Sequence, residues 1–321
     1  MDSLNLLGTM RLLESNASGE IRLTKNFLDD EIPPYAILSH TWSSEEVLFK
    51  DLTDVFTVLP DSTDKKLGYE KIRFCGSQAW RDDLQYFWID TCCIDKANNV
   101  ELQEAIISMF RWYHNSVKCY AYLADVPSSD DSWLSNFEKS RWFKRGWTLQ
   151  ELIAPRVVEF FTKDGQLLGT KSTLEEHIHN ITRIEESALR NNDLSTFTIK
   201  QRFSWAASRQ TTREEDQAYC LLGIFGINMT LLYGEGAMNA LARLKREISA
   251  MDPDGIEKRA RITAWLSAPT YDRIHEAMPQ TVGTCEWVFE DGSWKTWTLS
   301  VTASVLWVYG ERKYVLLGRD P

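Results

Sequence analysis

The chain has 321 residues, enough for one large or two modest domains. Hydrophobic residues make up 43% and charged residues 26%, which suits a soluble globular protein with a buried core. A net charge of −10 repels phosphate backbones, so nucleic acid is not an expected partner.

No apolar run reaches the roughly 18 residues of a membrane span, and Met1 to Met10 lacks the basic lead of a secretory signal. The six cysteines, Cys75, Cys92, Cys93, Cys119, Cys220 and Cys285, include an adjacent pair but no CxxC. They read as reduced thiols of a cytoplasmic protein, and the missing ligand spacing argues against a metal site. Most of the 13 tryptophans are expected in the core, with one or two lining a pocket.

In chain order, Pro33-Pro34 closes a polar N-terminal segment, 1–34. Tyr35 to Ser39 reads as a short buried strand, followed by a loop from His40 to Ser44. Leu67, Ile72, Cys75 and Ala79 recur at helical spacing within 64–80. A second apolar run, Tyr86 to Ile89, closes on Asp90. An amphipathic helix is predicted over 100–115, with Asn98 or Asn99 as its N-cap. Cys119 to Leu123 forms a third strand, stopped by Val126-Pro127, and 127–140 reads as a polar loop with at most one helical turn.

Residues 141–154 read as one helix ended by Pro155. Val157 to Phe161 is a fourth strand, turned at Asp164-Gly165. Helical stretches follow over 172–189, 198–209, 213–225 and 236–250, and Asp252 to Gly255 marks a boundary. The alternation through residue 162 predicts an α/β fold, a parallel sheet flanked by helices, with a C-terminal helical appendage.

In an open parallel sheet, ligands bind at the carboxyl ends of the strands. That rule selects Ser39, His40, Thr41 and Trp42 after the first strand, and Asp90, Thr91 and Asp95 after the second. The competing reading is that His40, Asp90 and Asp95 cap helices and satisfy loop amides. Trp147 and Glu151 are four residues apart on one helix and share a face. A carboxyl beside an indole is partly desolvated, which suits general-base work or stabilisation of a cationic sugar transition state. A salt bridge from Glu151 to Arg145 or Arg156 is the alternative. Glu175 to His179 reads as a solvated face, Arg213 to Asp216 as a charge run with capping and salt-bridge roles, and no GxSxG is present.

Four segments in this order resemble the heterokaryon-incompatibility (HET) domain family: Tyr35 to Trp42, Phe87 to Lys96, Arg145 to Pro155, and Arg213 to Phe225. Leu232 to Ala237 is similar to the closing motif of that family, and Lys96 stands where Gln is more usual. The resemblance covers 35–250 and implies a fungal, cytoplasmic effector of programmed cell death in vegetative incompatibility. It also implies a TIR-like, flavodoxin-type core, self-association, and a regulatory incompatibility or STAND-type partner.

In TIR enzymes a Trp-Cys-x-x-Glu-Leu helix supplies a glutamate that helps cleave NAD. Trp147-Thr148-Leu149-Gln150-Glu151-Leu152 matches that spacing, with Thr148 in place of Cys. The resemblance thus implies Glu151 as the catalytic acid and NAD as a substrate, with no other cofactor. Trp42 or Trp147 would stack on nicotinamide, and Ser39, His40, Asp90 and Asp95 would complete the substrate site. The alternatives are a non-enzymatic signalling domain and an inactive truncated product.

The Trp-rich tail, 251–321, resembles the lead-in to a NACHT nucleotide-binding domain, with Gly310 at the start of a Walker A loop. The residues from Glu311 to Pro321 lack the Gly-Lys-Ser/Thr set, so no ATP or GTP binding is expected there, and a truncated gene or a misread intron is the expected cause.

Overall fold

The computed structural model describes residues 9–16, 19–52, 68–128, 132–191 and 193–251, together with the backbone of 305–310 and 313–318. The chain divides into two units, Met1–Pro253 and Asp254–Pro321.

The first unit is built on a seven-stranded mixed sheet. Its strands are β1 (Leu13–Ser15), β2 (Ile21–Leu23), β3 (Tyr35–His40), β4 (Tyr86–Trp88), β5 (Lys118–Leu123), β6 (Val158–Thr162) and β7 (Leu167–Thr170). The order across the sheet is β2-β1-β4-β3-β5-β6-β7. The four expected strands, β4, β3, β5 and β6, pair in parallel. Every residue of β3 is buried, as a parallel strand covered on both faces requires.

The expected all-parallel sheet is corrected at both edges. β1 and β2 from the N-terminal segment add antiparallel beside β4, and β7 folds back antiparallel on β6 after the Asp164-Gly165 turn. These short edge strands carry too few residues for a periodic signal, and their pairing is long-range.

The helices of this unit begin with α1 (Gly68–Arg81) and α2 (Asn99–Asn115). α1 packs against β1, β3 and β4. The side chain of Asn98 accepts from the N–H groups of Val100 (3.1 Å) and Glu101 (3.3 Å), so it is the N-cap of α2. The expected helical start over 64–67 lies outside the described residues. The loop before the third motif contains a full helix, α3 (Trp133–Lys139).

The single helix expected over 141–154 is instead a 3-10 turn, Arg141–Lys144, followed by α4 (Thr148–Ile153). The break has a cause. Gly146 N–H donates to Gln210 O at 2.8 Å, and Gln210 N–H donates to Lys144 O at 2.6 Å, so this backbone pairs with a distant loop rather than with its own helix. A Cβ on Gly146 would meet the Thr211 methyl at 2.5 Å, so only glycine permits the approach.

The appendage is also more fragmented than its periodicity predicts. It contains α5 (Glu175–Thr182), α6 (Glu186–Leu189), α7 (Ile199–Ser204), α8 (Asp216–Tyr219), α9 (Leu222–Phe225) and α10 (Ala237–Met251). Arg183, left-handed at φ 58°, ends α5 within the stretch expected to be continuous. α9 lies on α2. A Cβ on Gly223 would fall 2.2 Å from the Phe110 Cβ of α2. Gly223→Ala is therefore expected to cost about 1–3 kcal/mol by pushing the helices apart, read as a lowered melting temperature.

The core runs through the sheet and is strongly aromatic. Trp142 stands edge-on to Phe160 at 5.5 Å, and Phe137 packs on both Phe143 (5.0 Å) and Phe160 (5.3 Å). Cys75, Cys92, Cys93, Cys119 and Cys220 are buried and free. In the second unit, β8 (Val305–Gly310) and β9 (Lys313–Gly318) form an antiparallel hairpin in which Gly310 pairs with Lys313. Lys313–Gly318, separated from Gly310 by two residues, is thus a strand. The other readings of the tail fall outside the described residues.

Candidate functional site

Chain order places the site. β3 comes first, β4 is laid on one side of it and β5 on the other, so the winding reverses between β3 and β5. Such a switch point leaves a crevice at the carboxyl ends of the strands. Ser39 and His40 end β3 there, and α4 packs against the same strand.

Ser39 is fully buried and donates its hydroxyl to Glu151 Oε2 at 2.5 Å. Its oxygen accepts the indole N–H of Trp142 at 2.8 Å. A relay therefore runs from Trp142 through Ser39 to the carboxyl group. Glu151 is 7% exposed. Burial pushes its pKa up to about 8 and nearby Asp90 adds to the rise, against the pull of the Ser39 hydrogen bond. The expected alternative of a salt bridge to Arg145 or Arg156 does not form among the described residues.

His40 is held from both ring nitrogens. Lys71 Nζ lies 3.1 Å from Nδ1, and Nε2 lies 3.0 Å from Asp90 Oδ1. A lysine ammonium only donates, so Nδ1 accepts and the ring proton on Nε2 points at Asp90. Lys71 also donates to Thr41 O at 3.0 Å and to Glu46. Asp90 accepts the indole N–H of Trp42 at 2.9 Å. Burial opposes its charge, but Lys96, His40 and the Trp42 N–H outweigh that and hold its pKa at about 2. Lys96 Nζ rests 3.5 Å from the centre of the Trp42 ring.

On the other wall, Trp147 N–H donates to Asp216 Oδ2 at 3.1 Å, and Tyr233 O–H donates to Asp216 Oδ1 at 3.0 Å. Thr148 accepts from Arg209 Nη1 at 2.8 Å and donates to Trp142 O at 2.5 Å. These residues enclose a cavity of about 240 Å³. Its acids are Glu151, Asp90 and Asp216, its indoles Trp42 and Trp147. Its apolar wall is the α2 face of Leu102, Ile106 and Met109.

Of the residues selected from sequence, His40, Trp42, Asp90, Trp147 and Glu151 line this one cavity. Ser39 sits behind Glu151, and Asp95 is not in the lining. Asp95 accepts Ala97 N–H at 3.0 Å and gives its own N–H to Glu101 at 2.7 Å, a loop-capping arrangement.

The reading by residue type passed over Trp142, Arg145, Thr148, Arg213, Asp216 and Tyr233. Asp216 had been grouped with a capping charge run, yet it bridges two aromatic donors in the cavity wall. Only Glu215 of that run follows the expectation, accepting the N–H groups of Gly234 (2.7 Å) and Gly236 (3.0 Å). The usable signal was the motif set itself. His40, Asp90, Trp147, Asp216 and Tyr233 come from five separate motif segments and meet here. In the Glu175–His179 stretch, His179 Nδ1 is 2.7 Å from Ile184 O, and no metal-holding cluster occurs among the described residues.

The heterokaryon incompatibility protein (HET) family matches residues 35–132 of the chain. Vegetative incompatibility protein HET-E-1 of Podospora anserina is 48% identical over 314 residues. That match covers 94% of this chain but only 22% of the relative, so the chain spans about a fifth of its length. No solved structure matches the chain. Among the described residues, no helix is long and apolar enough to cross a membrane.

Proposed function

We propose that this domain is a cytoplasmic cell-death effector of vegetative incompatibility that hydrolyses the bond between nicotinamide and ribose in NAD. The observation that carries the reading is the meeting of five motif segments at one cavity with a buried carboxyl on its floor. The parallel strand order, second-first-third-fourth, is that of a flavodoxin-type sheet and supports a TIR-like core. The name of the relative supports the incompatibility role.

The cavity is suited to this chemistry. Burial favours the protonated form of Glu151, because a buried charge is costly. A cationic nicotinamide ring beside it reverses that preference and releases the proton. The carboxylate then faces C1′ as positive charge develops there. The electron pair of the C1′–N bond leaves with nicotinamide, which departs neutral. Water adds to C1′ and loses a proton, giving ADP-ribose. The Trp142–Ser39 relay holds the carboxyl in place, and Trp147 lines the same cavity.

The test is release of nicotinamide by the purified protein. Wild type is expected to release it with a kcat/KM that rises as pH increases through about 8, since kcat/KM follows ionisation of the free enzyme and the carboxylate is the working form. Glu151→Ala is expected to lower kcat by roughly a hundredfold or more. Equal activity in this variant removes the mechanism.

One observation favours a non-enzymatic signalling domain: each cavity acid already accepts a hydrogen bond from the protein. On that reading, folded Glu151→Gln protein stays toxic when expressed.

A further inference from the structure

The wall of this cavity is divided by charge. Its three acids are engaged from within: Glu151 by Ser39, Asp90 by His40 and Trp42, Asp216 by Trp147 and Tyr233. Its three cations are not matched in this way. Arg145 Nη1 reaches only the hydroxyl of Thr212, at 2.8 Å. Arg213, next in sequence to Thr212, lies with its guanidinium 4.2 Å from the Tyr233 ring centre. Among the described residues, neither arginine forms an ion pair. Lys96 Nζ is buried with no hydrogen-bond partner, and its distance to Asp90 is 3.9 Å.

The cations also differ in depth. Glu151 is buried on the floor, Arg145 is half-buried, and Thr212 and Arg213 are exposed at the mouth. A ligand entering here meets guanidinium groups first and the carboxyl last. The cavity of about 240 Å³ is smaller than the roughly 300–1,000 Å³ of pockets that enclose a drug-sized ligand, so one end of a larger ligand enters and the rest stays at the mouth.

We infer that Arg145 and Arg213, with the Thr212 hydroxyl that Arg145 contacts, form a diphosphate-binding rim that holds a dinucleotide by its middle. This rests on the proposed NAD reaction. The nicotinamide ribose then lies inward toward Glu151, and the adenosine half remains outside. The planar fork of arginine suits phosphate oxygens, and the half-buried setting weakens screening by salt. Arg145 and Arg213 are therefore specificity-determining: they separate a diphosphate-bearing substrate from a nucleoside with the same scissile bond.

Two measurements test this independently. The first is binding of ADP-ribose by calorimetry to Glu151→Gln protein, which needs no turnover. Adding Arg213→Gln to this protein is expected to weaken ADP-ribose roughly tenfold to a hundredfold, and unchanged melting would show that the exposed substitution leaves the fold intact. No ADP-ribose binding, or binding indifferent to Arg213→Gln, overturns the rim. The second compares NAD with nicotinamide riboside, which carries the same bond and no phosphate. In wild-type protein NAD is expected to have the lower KM, and Arg213→Gln to raise KM for NAD alone. A KM raised equally for both also overturns the rim. Nicotinamide release that is absent while the ADP-ribose result holds would leave the rim standing and remove the hydrolase reading.

Discussion

Replacing Glu151 with Gln is expected to stabilise the domain at alkaline pH while abolishing nicotinamide release. The carboxyl has an ordinary pKa of 4.5 and is pushed up to about 8 in the fold. Below pH 4.5 both folded and unfolded chains carry the proton, and the full stability is present. Between 4.5 and about 8 the unfolded chain has released the proton while the folded chain keeps it. Stability then falls as pH rises, and it levels off once the folded group has also ionised.

Gln cannot ionise, and its carbonyl can still accept from Ser39. Wild type and Glu151→Gln are therefore expected to unfold at similar urea concentrations near pH 4. Above about pH 8 the variant is expected to be more stable by roughly 3–5 kcal/mol. An offset that does not change with pH would mean that Glu151 is not desolvated. Stability and activity moving in opposite directions is the usual signature of a site whose chemistry needs a strained charge.

The second large effect is expected at Lys71. Lys71 and Glu46 are both buried, 5% and 7% exposed, and Lys71 uses its three donors on Glu46, Thr41 O and His40 Nδ1. Burial works against a charged Glu46, but His40 and Lys71 outweigh it and lower its pKa. Lys71→Met removes the ammonium and leaves this carboxylate with the N–H and hydroxyl of Ser43 and with His40 Nδ1 3.9 Å away.

Breaking a buried pair from one side costs about 3–5 kcal/mol, because the remaining charge stays desolvated. That loss is expected in urea unfolding at neutral pH. Lys71→Met combined with Glu46→Gln is expected to recover most of it, since no unpaired charge is left. A single-variant cost under about 1 kcal/mol would mean that this pair does not organise the His40 side of the cavity.

The strands and helices that read best from sequence were those with strong local patterns. β3, β4, β5 and β6 lie where apolar runs predicted them, and α2 begins at a foreseen cap. The helix break at Gly146 was not legible, because its cause is a backbone pairing with Gln210, far along the chain. The candidate site was partly legible. Trp147 and Glu151 share a helix face by spacing alone, and strand ends selected His40 and Asp90. Asp95 and Asp216 show the limit. Both are acids beside helices, yet one caps a loop and the other joins two aromatic donors in the cavity.

What the amino-acid order determined by itself was the alternation of strand and helix, the acidic charge, and the set of motif segments. These follow from side-chain period and composition, which act over a few residues. The tertiary structure decided which acids are buried, that Arg145 and Arg213 form no ion pair among the described residues, and that five distant segments share one cavity. Burial and charge pairing depend on neighbours brought together only by folding, and no local pattern encodes them.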